Sequence, residues 1–182
     1  MSKLKPKIIL RNTWKAKKTK IDNNYLKPKN IIIHHSGEPE DAWAKKFKND
    51  EKAFMKRIQK YHIQGRSWDD IGYHFGIGLN GSILEGRNLK FQGVHCPGMN
   101  YKSIGIVIHG NYNYRTLKFN QTKSLIELIL WLCAVFNINS KNIFMHKEIN
   151  KTQCPGTNIN KKMNYLKNIV DYKLKQLNKG GK

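Results

Sequence analysis

Three consecutive isoleucines, Ile31-Ile32-Ile33, constrain this chain more than any other feature. They follow Lys29-Asn30 and run directly into His34-His35-Ser36. A β-branched run with a polar lead-in and a polar exit reads as a strand buried within a sheet. Side chains alternate along a strand, so His34 and His35 leave it on opposite faces. Only one of the two is then placed to join a site shared with other residues.

Other segments supply the partners such a strand needs. Asp50 is placed to cap a helix over 50–63, with Ala53, Phe54, Ile58, Tyr61 and His62 at helical spacing. Residues 71–79 are strand-like, Asn80-Gly81 is a hairpin signal, and residues 82–85 form the returning strand. In 103–109, Ile104, Ile106 and Ile108 alternate around Gly105 and Val107, as in a further strand. Asn120 is expected to cap a helix over 121–136 with Leu125, Leu128, Ile129, Leu132 and Phe136 as its apolar stripe. Residues 143–145 read as a short strand leading into His146. A last basic helix is expected over 162–177, with Tyr165, Leu166, Ile169 and Leu174 inward, before Gly180-Gly181. Strands interleaved with helices make the chain α/β or α+β, and no internal repeat is visible.

The chain has 182 residues, which fits one domain of the usual ~100–200 residues. No apolar run approaches the ~20 residues of a membrane-spanning helix. Three cysteines are too few, and odd in number, for a disulfide scaffold. Lys and Arg total 34 against 12 Asp and Glu, a net charge of +22. The charge is uneven. Residues 1–30 hold ten basic residues and one acid, and 161–182 hold seven and one, so the ends carry fifteen of the 22 charges. We therefore divide the chain into a basic extension over 1–28, a domain over 29–178 and a tail over 179–182. The extension reads as a solvated arm, although Trp14 and Tyr25 give it points at which to dock. Ile8-Ile9-Leu10 stops at Arg11, too short for the core of an export signal, so none is expected. Charge alone implies an acidic partner: nucleic acid, anionic lipid or an anionic wall polymer.

The histidines and cysteines carry the chemistry. One of the His34-His35 pair ends a buried strand, His146 follows another, and Cys154 precedes the rigid turn Pro155-Gly156. Two imidazoles and a thiolate form a sound zinc set and leave a fourth position open. Such a site polarises a carbonyl and activates water near neutral pH. Spacing by itself is a moderate signal, because 112 residues separate His34 from His146.

Five strings add a resemblance. IIIHHS, DIGYHF, GSILEGR, GVHCPGMNYKSIGIVIHGNY and HKEINKTQCPG, in this order, resemble the type-2 N-acetylmuramoyl-L-alanine amidases, which include phage lysozyme-type amidases and peptidoglycan recognition proteins. The likeness covers about residues 29–170. It implies a central mixed β-sheet flanked by α-helices, with one Zn(II) at the end of a cleft. It also implies hydrolysis of the amide between N-acetylmuramic acid and the L-alanine of the stem peptide. By position, the implied zinc ligands are His34, His146 and Cys154. Tyr73 matches the catalytic tyrosine, whose phenol would stabilise the developing oxyanion. Thr152 stands where several phage amidases carry Lys, and recognition-protein amidases commonly carry Thr there. Lys151 is adjacent. His95 falls in a cleft-lining segment and becomes a candidate substrate contact or orienting residue. Arg87 is a candidate for a stem-peptide carboxylate, with a structural ion pair as the alternative. His95-Cys96-Pro97-Gly98 imitates the ligand turn, and Cys96 reads as a bystander. His74 reads as a satisfied core histidine, Cys133 as core, and His62 and His109 have no support as ligands.

The resemblance implies bacterial peptidoglycan as the partner, with the basic ends directed at anionic envelope polymers or a membrane surface. A monomer is expected, and no specific nucleic acid. The competing readings are a non-catalytic peptidoglycan sensor and a basic nucleic-acid-binding protein, the latter without any recognition motif. A single amidase domain lacking an export signal resembles a phage endolysin. Such a protein waits in the host cytoplasm and acts on the wall after release.

Overall fold

The computed structural model describes residues 4–18, 24–47 and 50–179. Its centre is the isoleucine strand. β2 (Asn30–His35) pairs in parallel with β5 (Ser103–Ile108) on one side and β6 (Ile143–Met145) on the other. Beyond β5 lie β3 (Phe75–Ile77), β4 (Ile83–Glu85) and β1 (Ile8–Ile9), giving the order β1-β4-β3-β5-β2-β6. Among the described strands only β3 and β4 pair antiparallel, so the sheet is mixed, and helices cover it.

All three isoleucines are fully buried because both faces of the sheet are covered. Ile31 and Ile33, with Ile104, Ile106 and Ile108, face a core completed by α3 (Phe119–Phe136) and α5 (Met163–Lys179). On the opposite face Val107 and Leu84 join Phe54, Met55 and Ile58 of α2 (Glu51–Lys60). Alternation therefore puts His34, the register partner of Val107, on the α2 side and His35 on the α3 side. Two short helices complete the chain, α1 (Ala42–Lys46) and α4 (Thr157–Asn160). No described helix is long and apolar enough to cross a membrane.

Several elements differ from expectation. Asp50 caps α2 by accepting from the Ala53 N–H at 2.8 Å, but the helix ends at Lys60 and continues as a wide turn over Tyr61–Gly65. Residues 71–74 lie outside the strand: side chains take backbone groups of Ile71 and Gly72, and loop backbone takes the carbonyls of Gly72, Tyr73 and His74. His62 Nδ1 accepts from Gly72 N–H, and Arg87 Nε donates to the Ile71 carbonyl. α3 starts two residues early, with Lys118 rather than Asn120 in the cap position. Gln121 Oε1 accepts from the Lys118 N–H there. In α5 Met163, Leu166 and Val170 face inward, whereas Tyr165 is 60% exposed. Gly180-Gly181 lies outside the described residues.

The largest correction concerns the arm, which is docked over residues 8–16 rather than solvated. Ile8 and Ile9 extend the sheet beside Ile83 and Leu84. Trp14 is 2% exposed within the α2 core, and its Nε1–H donates to the Glu85 carbonyl at 2.9 Å. Arg11 forms an ion pair with buried Asp70 at 3.0 Å and donates to the Gly86 carbonyl. Three apolar side chains and one guanidinium outweigh the charge average that suggested a solvated tail. Trp14→Ala should therefore cost about 3–5 kcal/mol, read as a shifted midpoint in urea unfolding. A solvated arm would leave the midpoint within about 0.5 kcal/mol of the native value.

Candidate metal centre and cleft

The parallel pairing of β2 with β6 sets Ile33 opposite Met145, so both strands end at one edge of the sheet. His34 and His146 leave the strands at that edge, with ring centroids 4.5 Å apart. This register closes the 112-residue gap in sequence. Cys154 comes from the loop before α4, and its Sγ lies 3.7 Å from His34 Nδ1. The loop is held by Lys147 N–H on the Cys154 carbonyl, and Sγ accepts from the His35 N–H at 3.4 Å. A cis peptide joins Cys154 to Pro155, and Gly156 turns at φ +95°, where a Cβ would lie 2.6 Å from Tyr112 backbone. The ligand atoms of His34, His146 and Cys154 all fall within 4.8 Å of one another.

The surrounding hydrogen bonds select the tautomers. His95 Nε2 lies 3.3 Å from the Ser103 carbonyl, which can only accept, so Nε2 carries the proton. His95 Nδ1 then accepts from His34 Nε2–H at 3.0 Å. That leaves the lone pair of His34 Nδ1 facing Cys154. His146 Nε2 donates to Asn150 Oδ1 at 3.2 Å, which frees Nδ1 in the same way. Cys96 Sγ also donates to Asn150 Oδ1, at 3.0 Å.

Burial lowers the pKa of His34, with neighbouring imidazoles adding to the effect, and burial likewise lowers His95 and His146. These histidines are neutral at pH 7, the form that offers lone pairs to a cation. Burial also pushes the Cys154 thiol up to about 12. A nearby cation reverses that preference, because a coordinating thiol ionises. Two neutral imidazoles, each oriented by a partner on its far nitrogen, and one thiol that a cation would ionise fit zinc.

Tyr73 is half-buried beside His34, with ring centroids 5.1 Å apart. Burial, then the neighbouring Cys154, raises its pKa, so the phenol keeps its proton. Thr152 is exposed, and its hydroxyl accepts from the Cys154 N–H at 3.2 Å. Lys151 is exposed on the same loop. A cleft of about 560 Å³ runs from His146, His95 and Tyr73 to Trp43, Tyr61, Arg66 and Trp68. Among the described residues Arg66 is the one cation lining the cleft, and it stacks over Tyr61. Glu38, the one acid among the described lining residues, is occupied by Ala44 N–H and the Ser36 hydroxyl.

His95 stands as an orienting residue behind His34 while also lining the cleft. Arg87 does not reach the cleft, and its expected substrate contact is corrected. It is 2% exposed, forks onto Asp69, and donates to the Ile71 carbonyl at 2.9 Å. Its own N–H donates to the Tyr73 carbonyl at 2.8 Å, so it braces the loop that carries the tyrosine. Cys96, read as a bystander, is buried and touches Asn150. His74 is satisfied in the core by Gly105 N–H and the Phe91 carbonyl. His35 accepts from Tyr112 N–H, His109 pairs with Glu51, and Cys133 is buried in the α3 core. Asn150 and the aromatic end of the cleft escaped sequence reasoning. The i, i+4 relation of His146 to Asn150 was the available signal.

Comparison with known proteins follows this geometry. A family model described as N-acetylmuramoyl-L-alanine amidase matches residues 24–157. The chain belongs to this family. It is 42% identical over 106 residues to Peptidoglycan-recognition protein SC2 of Drosophila simulans, a stretch covering 58% of each chain. It thus spans under two thirds of that relative. Among solved structures, the endolysine N-acetylmuramoyl-L-alanine amidase LysCS of Clostridium intestinale URNW superposes with TM-score 0.68 at 32% identity, covering 84% of this chain and 89% of LysCS. A point variant of Drosophila PGRP-LB in complex with tracheal cytotoxin superposes at 0.73 with 30% identity, covering 83% and 89%. The fold is the mixed α/β fold of these amidases and recognition proteins.

The orienting bonds make a direct prediction. His95→Ala and Asn150→Ala should each weaken zinc binding by about 10–100-fold with all three ligands intact. Competition against a chromophoric chelator measures this, and unchanged affinity would remove the orienting role.

Proposed function

We propose that this chain is a zinc-dependent amidase that cuts bacterial peptidoglycan between N-acetylmuramic acid and L-alanine, in the setting of a phage endolysin. The observation that carries the reading is the complete set of His34, His146 and Cys154 with Tyr73 beside it, at the head of an aromatic cleft. A sensor that only binds has no need of a half-buried thiol within 3.7 Å of an imidazole nitrogen. Zinc, when bound, supplies Lewis acidity toward the scissile carbonyl and the attacking water.

The chain's own groups do the rest. Trp43, Tyr61 and Trp68 offer apolar faces to the substrate, and Arg66 offers a charge partner for a carboxylate of the stem peptide. The Tyr73 phenol, still protonated, donates a hydrogen bond to the oxygen on which charge develops. The Thr152 hydroxyl accepts from Cys154 N–H and retains its own hydrogen for donation. The proton lost by the attacking water, relayed through Tyr73, can reach the departing amine of L-alanine. Similarity to LysCS supports the endolysin setting, with the protein held in the host cytoplasm until release. The recognition-protein relatives support peptidoglycan as the ligand.

Mass spectrometry of digested wall tests the reading. Free peptides beginning with L-alanine and intact glycan strands are expected, and cleavage at any other bond overturns it. Cys154→Ala should lose zinc and lysis together. Tyr73→Phe should keep zinc and lose about 10²–10³ in kcat. Full lysis by metal-free protein would also defeat the assignment.

A further inference from the structure

α2 carries Lys52, Lys56 and Lys60 four residues apart, all exposed, on the face opposite Phe54, Met55 and Ile58. Like charges at that spacing repel and weaken a helix. Among the described residues no acid forms an ion pair with them. Glu51 is buried against His109 and the Asn80 N–H, and Asp50 is taken up in capping. α5 is treated differently: Lys167 pairs with Glu148, and Lys175 with Asp171.

The docked arm adds a fourth cation to the α2 face. Gln59 pins the backbone of Lys17, accepting from its N–H at 2.9 Å and donating to its carbonyl at 3.1 Å. The Lys17 side chain then helps to line a cavity of about 170 Å³ with Lys56, Lys60, Gln59, Ile63 and Gln64. Among the described residues no acid lines this cavity. Residues four apart on a helix rise ~6 Å, on the scale of one repeat of a polyol-phosphate chain.

We propose that this face is a track for a linear polyphosphodiester of the cell wall, a polyol-phosphate polymer. The track runs along the outside of α2, whose inner face reaches the cleft through Ile58. Among the described residues the cavity lining holds no aromatic side chain to stack a base or anchor in a bilayer interface, which disfavours nucleic acid and membrane. The choice of a wall polymer rests on the peptidoglycan reading above; the cationic track does not.

Calorimetry with the full chain and a poly(glycerol phosphate) decamer, from 50 to 200 mM salt, tests the proposal. Lys56→Gln/Lys60→Gln should weaken binding about tenfold at the lowest salt and reduce the log–log salt slope by about two. Lys123→Gln/Lys141→Gln, an equally exposed pair elsewhere, should cost less than about twofold if the charge acts locally. Equal losses in both variants would overturn a localised track. So would equal or tighter binding, dependent on Lys56 and Lys60, to a single-stranded oligothymidylate or to phosphatidylglycerol vesicles. Hydrolysis of a soluble muropeptide is followed in parallel. Its absence beside intact polymer binding would sink the amidase reading and leave the track standing.

Discussion

The parallel pairing of β2 with β6 and β5 is the constraint on which the site depends. A parallel sheet covered on both faces buries every side chain along its strands. The strand ends are therefore the first places where polar side chains can gather at low cost. β2 and β6 reach that point together, so His34 and His146 arrive as neighbours. A slip of one residue in β2 would turn His34 toward the α3 core and bring His35 to the cleft side. The isoleucines prevent such a slip, since Ile31 and Ile33 fill one core and cannot trade places with His34. Packing in the sheet thus fixes the first ligand before any cation is considered.

Much of this was legible before the structure. The β-branched run, the 143–145 strand and the 82–85 strand each announce themselves by pattern, and the sites grow from their ends. What escaped was long-range. Residues 71–79 alternate like a strand, but no local pattern reveals that His62 and Arg87 would claim the backbone of Gly72 and Ile71. Gly105 held a readable clue to His95. A glycine inside a strand marks a close approach, and a Cβ there would lie 2.6 Å from the His95 ring. Arg87 was ambiguous because a buried guanidinium and a ligand-binding one look alike in sequence; only its enclosure by Asp69 and Ile71 decides between them.

The arm misleads for a related reason. Averaging its charge hides Ile8 and Ile9, which extend the sheet, and understates Trp14, the expected docking point, which enters the α2 core. Its polar contacts reach further. Asp70 receives both Arg11 and Gln59, while Asp69 holds Arg87, which in turn holds the Tyr73 carbonyl. The segment leading to Tyr73 is therefore braced from the arm on one side and from Arg87 on the other. Removing the arm would disturb packing and the tyrosine's support along with any surface charge, so truncation cannot isolate a binding role. Substitutions of single exposed lysines avoid that confusion.

The same separation explains how a chain of +22 can host a site built from neutral donors. Burial keeps His34, His95 and His146 uncharged, and among the described residues Arg66 is the only cation lining the cleft. The lysines lie outside, where screening confines their influence to about 8 Å at physiological salt. At that range they can hold a polyanion against the surface but add little to selection within the cleft. Selection there falls to aromatic faces and one guanidinium, which depend weakly on salt. In the proposed function, binding to a charged envelope and discrimination of the reacting bond thus fall to different residues, with different salt dependence. A helix with lysines on one face and Ile58 on the other lets both operate on neighbouring surfaces without placing charge beside the metal ligands.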